Sequence, residues 1–441
     1  MIRHLKNKLM VLRTDSHMRE VAHGTMLAFV LKVAGSGLAF AFNVVVARLL
    51  GADGAGLYFL ALAITTIASV IGRVGLDSAL LRFVSTHATH QDWSGVKGVY
   101  ILGMRVVVVA STVVTLSIFI SAPWLATAIF KKPDIAVPLG WMAMSIMPLS
   151  ILALQTESLK GLKRIRDAMV VQVVAIPLLG LMLIVPLAHA YGVVGASVAY
   201  LVSVLFATIF GIMAWRGATS TFCIEAALFS FKELWSSCKH MYLVALMNQA
   251  LLPFAPILFL GFWASSDDIG IFGAASRVAM LVSFILVTAN SVVAPKFAEL
   301  YAKGDIEQLG QVARRSAMLT TLFALPLFLA LIMGGHRVMA LFGTQFQAGT
   351  TVLTILLVGQ FVNVACGSVG YLLTMTGNEK VNARLTLLSG ITLIVLSVAL
   401  IPDFGSIGAA IASSVGLIVF NLAAFVMAGH LLKIKMAWFK I

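Results

Sequence analysis

Charged side chains are scarce in this chain of 441 residues. Asp, Glu, Lys and Arg make up 11% of it, against about 25% in a soluble globular domain, whose surface must face water. Hydrophobic residues make up 60%, and the mean hydropathy is +1.02. A surface with so few charges must face lipid, so the sequence predicts a membrane protein.

Cysteine is also rare, and several catalytic motifs are missing. Cys223, Cys238 and Cys366 are odd in number and have no metal-ligand spacing, so we expect no disulfide and no metal site. The chain has no Gly-x-x-x-x-Gly-Lys-Ser/Thr phosphate loop, no His-Glu-x-x-His zinc motif and no recognisable nucleophile motif. These absences argue against an ATP-driven pump and against an enzyme, and we expect no cofactor.

Acidic residues are fewer than basic ones, 17 against 31, which gives a net charge of +14. In a soluble protein such an excess suggests nucleic-acid binding. Here the basic residues lie in short segments beside apolar runs, where they would orient the chain in an anionic membrane. We therefore expect membrane lipids, and no nucleic acid, as partners.

Apolar runs of the length that crosses a bilayer, about 20 residues, recur along the whole chain. They fall near 25–47, 56–81, 98–121, 134–158, 168–190, 192–214, 240–263, 269–293, 313–334, 347–375, 385–402 and 405–429. With the N-terminus inside, the Lys and Arg residues between the runs divide 23 inside to 4 outside. This predicts an all-α polytopic membrane protein of about 12 transmembrane helices, with both termini in the cytoplasm.

The second half of the chain repeats the first at an offset near 213 residues. Gly192–Ala196 (GVVGA) matches Gly405–Ala409 (GSIGA), and Asp53 matches Asp267. Because six is an even number of helices, both halves enter the membrane from the same side. A pseudo-two-fold axis along the membrane normal should therefore relate two six-helix lobes, with a transport cleft between them.

The predicted organisation has five parts. They are a cytoplasmic basic N-terminus (1–24), an N-terminal six-helix lobe (25–215), a cytoplasmic amphipathic linker (216–239), a C-terminal six-helix lobe (240–432) and a cytoplasmic tail (433–441). The linker has apolar residues at helical spacing, which predicts an interfacial helix that joins the lobes.

Ionisable residues inside a span are costly and point to a cavity or a partner. The cations within predicted spans are Lys32, Arg73, Arg105 and Arg277. Only Asp77 and Glu157 supply carboxylates there. A cleft with cations and few acids favours an anionic substrate, and arginine binds phosphate through two parallel hydrogen bonds.

Lys32 and Arg105 each have two interpretations. Lys32 shares one helix face with Asn43, which makes a polar stripe suited to a cleft. Both cations lie near the inner ends of their helices, so each side chain could instead extend to the lipid headgroups. For Arg105 the second interpretation is the stronger one.

The other candidates also have alternatives. Arg73 could bind substrate or form a structural ion pair with Asp77, four residues on, whereas Arg277 has no carboxylate beside it in sequence. Gln249 and Asn363 could line the same cleft or join helices by hydrogen bonds.

Two segments resemble a known family. Ala47–Tyr58 (ARLLGADGAGLY) and Gly75–Phe83 (GLDSALLRF) resemble segments of Wzx-type polysaccharide-transport flippases. These belong, with lipid II flippases and multidrug-and-toxin extrusion proteins, to the multidrug/oligosaccharidyl-lipid/polysaccharide exporter superfamily. Lipid II flippases have cavity cations on the first, second and eighth helices, and Lys32, Arg73 and Arg277 lie on those helices here.

The resemblance implies a function. It is the transfer of an undecaprenyl-diphosphate-linked oligosaccharide from the cytoplasmic to the periplasmic leaflet of a bacterial inner membrane, for O-antigen or other surface polysaccharide. Other polysaccharide assembly proteins are further partners it implies, and coupling to H⁺, Na⁺ or the membrane potential is left open. A cation-coupled drug or metabolite antiporter of the same superfamily and an O-antigen polymerase or ligase are the alternatives.

Overall fold

Helices make up nearly all of the part of the chain that the structure describes. The structure, a computed structural model, describes residues 16–220, 227, 229, 242–243, 245–434 and 436, with side chains from residue 29 onward, and these residues form no β-strand. The helices are α1 (Ser16–Gly72), α2 (Leu76–Thr89), α3 (Trp93–Trp124), α4 (Ala136–Ala143), α5 (Ile146–Gly161), α6 (Ile165–Met169), α7 (Ala175–Thr219), α8 (Leu252–Trp263), α9 (Ser266–Ala302), α10 (Ile306–Ala340), α11 (Thr350–Cys366), α12 (Val369–Met375) and α13 (Glu379–Leu432). Single π turns cover Leu125–Ile129, Val170–Val174 and Met247–Leu251, and 3-10 turns cover Pro133–Ile135 and Thr344–Gly349.

Three of the long helices are pairs of membrane spans joined at a glycine. The backbone leaves the helical conformation at Gly51 in α1, Gly192 in α7 and Gly405 in α13, each with a positive φ that glycine adopts without steric cost. Seven described helices are long and apolar enough to cross a membrane, and the bent pair α4–α5 is an eighth. Dividing the three pairs and adding the shorter apolar segment Met247–Trp263 gives twelve crossings in the described residues.

The backbone repeats itself between the two halves. Left-handed turn residues recur 212 to 214 positions apart in four pairs: Gln91 and Gly304, Lys131 and Gly343, Lys163 and Gly377, and Gly192 and Gly405. The side chains of Asp92 and Asp305, 213 residues apart, both cap a helix N-terminus by accepting a backbone N–H bond of 2.9 Å. The two lobes therefore share these four turns and this helix cap.

The two ends of the bundle differ in charge. We call the end with the turns at Gln91, Lys163, Gly304 and Gly377 the basic end, because Lys160 and Lys303 adjoin them. The opposite end, with the turns at Gly51, Gly192 and Gly405, is called the far end.

The lobes are packed closely at the far end. A Cβ atom on Gly56 of α1 would lie 1.8 Å from the carbonyl oxygen of Ser266, and one on Gly270 of α9 would lie 2.1 Å from that of Ala52. Only glycine allows two backbones to approach so closely. The largest buried apolar cluster lies around this contact and draws residues from both halves, including Phe59 and Phe272.

Several predicted segments lie largely outside the described residues. Residues 1–15, most of 221–241 and residues 437–441 are among them, so the predicted interfacial helix is not described. Ala227 and Phe229 of the linker are described: the Ala227 N–H donates to the Ser94 carbonyl at 3.1 Å, and the Phe229 ring centre lies 5.4 Å from that of Phe83. At this point the linker contacts the basic end of the N-terminal lobe.

Candidate functional site between the lobes

Arg73 and Asp77 lie where α1 ends and α2 begins. Arg73 follows the C-terminus of α1, where the helix dipole favours a cation, and Asp77 lies in the first turn of α2, where it favours an anion. The Arg73 Nη1 atom is 3.4 Å from the Asp77 Oδ2 atom, and the two side chains are 13% and 8% exposed. Arg73 also donates from Nε to the Ser69 carbonyl at 3.3 Å. The ion pair considered from the sequence is therefore present.

A residue of the other lobe joins this pair. Gln249, in the π turn before α8, donates from Nε2 to the Asp77 Oδ2 atom at 3.3 Å. The second oxygen, Asp77 Oδ1, is buried without a hydrogen-bond partner among the described residues. One carboxylate thus links the two lobes near the basic end.

Two more cations lie near this cluster. Lys160 forms an ion pair of 2.7 Å with Glu157, and Glu157 lies within electrostatic range of Arg73. Lys32 is half-buried and lies within electrostatic range of Lys160. We call Lys32, Arg73 and Lys160 the basic-end cluster: Arg73 and Lys160 are each paired with a carboxylate, which leaves the charge of Lys32 in excess. Lys160 was counted from the sequence only as an inner-loop residue, although its i, i+3 spacing from Glu157 is a signal for an ion pair.

Arg277 lies elsewhere, in the interface between α1 and α9. Its Cζ atom is 3.9 Å from the centre of the Phe59 ring, and its Nη1 atom donates to the Gly273 carbonyl at 2.8 Å. Phe59 precedes Arg73 by 14 residues of α1, which is about 21 Å of helix. A single diphosphate cannot contact Arg73 and Arg277 at once in this state.

The remaining candidates are separate from both cations. Arg105 is exposed on α3, on the same stripe as Ile101, Val109 and Val113, which are 38%, 66% and 58% exposed. Such a stripe of large exposed apolar residues is a lipid-facing surface, which favours extension of Arg105 to the headgroups. Asn43 donates to the Ala39 carbonyl of its own helix at 2.6 Å.

Asn363 of α11 is half-buried and makes no hydrogen bond to a residue that the structure describes.

Two cavities accompany these residues, one in each lobe. The N-terminal cavity, about 190 Å³, is lined by Arg73 together with Thr66, Gln172 and Tyr200, and the C-terminal cavity, about 290 Å³, by residues of α8, α9, α11 and α13. No group of three or more potential metal ligands occurs among the described residues.

Hydrogen bonds close the far end across the lobes. Lys132 donates from Nζ to the carbonyls of Gly261 and Ala264, at 2.9 and 2.8 Å, where α8 ends. Burial lowers the pKa of this lysine. Gln345, 213 residues after Lys132, accepts from the Ala52 N–H at 2.9 Å. Equivalent loops of the two halves thus each bind the helical turn of the opposite half.

Two matched helical lobes, closed at one end and with a polar cavity in each, define an integral-membrane fold of the parallel-repeat kind found among transporters. The chain belongs to the polysaccharide biosynthesis protein family, whose family model matches residues 21–301. The MatE family model matches residues 242–399.

Two relatives come from Haloferax volcanii. The chain is 22% identical over 407 residues to the probable low-salt glycan biosynthesis flippase Agl15, and the match covers 90% of this chain and 80% of that protein. It is 25% identical over 170 residues to the probable flippase AglR, covering 38% and 36% of the two chains.

Solved structures share the fold. The lipid II flippase MurJ in an inward closed conformation has a TM-score of 0.75 at 14% identity and covers 91% of this chain and 87% of its own. An inward-facing multidrug resistance MATE transporter has a TM-score of 0.71 at 16% identity, and the match covers 93% of this chain and 98% of the transporter. The predicted two-lobe helical fold and superfamily are confirmed, and the chain belongs with flippases and transporters rather than with enzymes.

Proposed function

We propose that this protein is a flippase that moves a lipid-linked oligosaccharide, with an undecaprenyl-diphosphate carrier, from the cytoplasmic to the periplasmic leaflet of a bacterial inner membrane. In this proposal the basic end faces the cytoplasm. The observation that supports it best is the basic-end cluster of Lys32, Arg73 and Lys160, which has one positive charge in excess and lies beside the lobe interface.

The chemistry of the cluster suits a diphosphate. An ionised phosphate that leaves water without a partner pays a large desolvation cost, and fixed cations in the protein replace that water. Arginine and lysine form charge-assisted hydrogen bonds with phosphate oxygens, which are stronger than neutral ones. The diphosphate would contact Lys32 and Arg73 first, since they lie at the basic end.

Arg277 provides a second position along the path. About 21 Å of helix separates its contact with Phe59 from Arg73, so the anionic group would meet the two arginines in succession. Opening of the far end would release the Arg277 guanidinium from the Phe59 ring and expose it to the substrate. The polyprenyl tail would remain in the lipid between the lobes.

The membrane potential is one driving force that would favour export. Outward movement of negative charge across an inside-negative membrane gains about 2.3 kcal/mol per charge per 100 mV. The sequence has no phosphate loop for ATP, so in this proposal the membrane potential, or exchange for H⁺ or Na⁺, supplies the drive.

A drug antiporter is the second candidate, because the MatE family model matches residues 242–399. Binding of organic cations and exchange for H⁺ or Na⁺ favour free buried carboxylates. In the described spans, Asp77 and Glu157 are both paired with cations, which favours the flippase.

Translocation of the lipid-linked oligosaccharide in proteoliposomes tests the proposal. Lys32→Ala should lower the rate, Lys32→Arg should keep it near normal, and Arg105→Ala, which removes a lipid-facing cation, is the matched control. Arg73→Ala should lower it too, and the double variant Arg73→Ala, Asp77→Asn should not recover it. Recovery in the double variant would mean that Arg73 serves only to balance Asp77. Efflux of ethidium, with no movement of the glycan lipid, would support the antiporter instead.

A further inference from the structure

The cavities in the two lobes occupy equivalent places in the repeat. Thr66 and Gln172 of the N-terminal cavity correspond to Met280 and Thr386 of the C-terminal cavity at an offset of 214. Tyr200 corresponds to Ser413 at an offset of 213. The repeat therefore places three matched positions in the two linings, with different side chains in each half.

The hydroxyl groups of the C-terminal cavity all use their protons on the backbone. Each donates to a carbonyl oxygen at 2.7 to 3.0 Å: Ser276 to Gly273, Thr386 to Asn382, Ser389 to Gly416 and Ser413 to Ala409. A hydroxyl has one proton to donate and two lone pairs that accept. These four groups can therefore offer a ligand only acceptor positions.

One side chain in the same cavity has unused capacity of both kinds. Gln360 of α11 is half-buried, lines the cavity and makes no hydrogen bond to a residue that the structure describes. Its amide can donate two hydrogen bonds and accept two. Phe272 and Phe420 supply apolar walls, and no charged side chain is among the described residues that line the cavity.

The N-terminal cavity also has hydroxyls that donate to the backbone, those of Thr66, Ser69 and Thr156, but it adds a cation and a phenol. Arg73 brings guanidinium donors, and the Gln172 amide and the Tyr200 hydroxyl make no hydrogen bond to any other described residue. These groups can donate to a ligand that has only acceptors, such as a phosphate. Without Arg73, the remaining side chains of this cavity could not neutralise a diphosphate, because they are uncharged.

We propose that the C-terminal cavity is a saccharide pocket, which binds the sugar units nearest the diphosphate while the N-terminal lobe holds the diphosphate itself. A sugar presents many hydroxyl donors without net charge, which matches the four hydroxyl acceptors and the Gln360 amide; Asn248, a second amide, also lines the cavity. A phosphate has no proton to donate to those acceptors, and an organic cation finds no carboxylate there. The volume of about 290 Å³ is near the lower end for ligand pockets, about 300 Å³, so it holds part of a glycan. The proposal rests on the flippase function and adds selectivity for the sugar units of the substrate.

Two readouts test the pocket. The first is binding of free saccharides, which mild acid releases from the lipid-linked glycans of the source cells. These saccharides have no lipid and no phosphate. The second is translocation, in proteoliposomes, of the glycan-bearing lipid compared with bare undecaprenyl diphosphate. Gln360→Leu keeps the size of the side chain and removes its hydrogen bonds, and Ser413→Ala removes one acceptor. Ser283→Ala, which removes an exposed hydroxyl of α9 that donates to Met280, is the control.

We expect Gln360→Leu to weaken saccharide binding about tenfold, in line with the loss of a buried polar partner. It should slow the glycan-bearing lipid and leave bare undecaprenyl diphosphate unchanged, whereas Arg73→Ala should slow both lipids and keep saccharide binding. Ser413→Ala should act in the same direction as Gln360→Leu, with melting temperatures near that of the unmodified protein.

The failures are distinguishable. Unchanged saccharide binding in Gln360→Leu and Ser413→Ala, or an equal loss for both lipids, overturns the pocket and leaves the flippase standing. Saccharide binding without movement of the glycan-bearing lipid supports the pocket and overturns the flippase. Binding of tetraphenylphosphonium that depends on Gln360, with no saccharide binding, assigns the cavity to organic cations and overturns the pocket.

Discussion

The guanidinium carbon of Arg277 lies 3.9 Å from the centre of the Phe59 ring, so a cation of one lobe stacks on an aromatic ring of the other. A cation over an aromatic face gains about 0.5–2 kcal/mol, most when it is desolvated. Because the contact joins the two lobes, we expect it to be exchanged for another partner when the lobes separate at the far end.

Arg277→Ala should abolish surface glycan while the amount of protein in the membrane stays near normal, because the anionic substrate loses its second cation. Arg277→Lys should restore part of the activity, since a lysine is a point charge without the planar donor fork. Translocation in proteoliposomes measures both. Undiminished translocation by Arg277→Ala and Lys32→Ala together would falsify the cationic cleft and leave these residues as helix anchors.

Gly270→Ala should prevent closure of the far end. Its new Cβ atom would lie 2.1 Å from the Ala52 carbonyl oxygen, a backbone atom that cannot move aside. In a cysteine-free background, Ala55→Cys, fully buried in the unmodified protein, should become severalfold more reactive to a maleimide. Gly334→Ala is the control, because its Cβ atom meets nothing within 4 Å. Equal reactivity of Ala55→Cys in both backgrounds would contradict the close packing.

Asp92→Ala should destabilise the N-terminus of α3, and Asp305→Ala that of α10, because both side chains cap a helix. At these exposed positions the loss should be about 0.5–1 kcal/mol of unfolding free energy. Substitution by asparagine should keep most of the stability, because its side-chain oxygen can also accept the cap hydrogen bond. Thermal unfolding in detergent measures this, with Asp134→Ala, an aspartate that caps no helix by a side-chain bond, as the control.

The Asp92 cap also predicts a pH dependence. The Gly95 N–H, the Ser94 hydroxyl and His87 lower the pKa of Asp92 to about 2 from 3.8. A depressed carboxyl pKa stabilises the fold above the unfolded pKa, and this contribution is lost as the pH falls from about 4 to about 2. The difference in melting temperature between the unmodified protein and Asp92→Ala should therefore shrink across that window. A constant difference would rule out the carboxylate as its source.

The orientation in the membrane can be tested by single-cysteine labelling. Lys131→Cys should react with an impermeant reagent added to intact cells, because the far end should face the periplasm. Lys163→Cys should react only after the membrane is opened. Reaction of Lys163→Cys in intact cells would reverse the orientation and remove the basis for export.

The sequence was sufficient for the twelve crossings and the repeat, because both depend on local composition and spacing. It also indicated the pair of Arg73 and Asp77, since an i, i+4 interval is a local feature. The contact of Gln249 with Asp77 joins residues 172 apart, and no pattern in either segment predicts it. Helix ends were less accurate: the span predicted at 56–81 is interrupted after Gly72, at Val74 and Gly75, which both have positive φ.

For the candidate site, residue type was predictable and surroundings were not. Lys32, Arg73 and Arg277 were found because charge in a span is rare, but the distance between Arg73 and Arg277 depends on how α9 packs against α1. Arg105 satisfied the same rule and lies on a lipid-facing stripe. The direction in which the Ser413 hydroxyl donates depends on its rotamer within a folded helix.

The matched left-handed turns have a practical consequence for stabilising the protein. At three of the four matched positions the N-terminal half has Gln91, Lys131 or Lys163, where the C-terminal half has glycine. A side chain in the left-handed conformation costs about 1–2 kcal/mol, and glycine avoids this cost because it has no Cβ atom. Copying glycine from the second half into the first would relieve that strain at each turn. The repeat thus indicates which substitutions should give a more heat-resistant variant: glycine from the C-terminal half, placed at the matched positions of the N-terminal half.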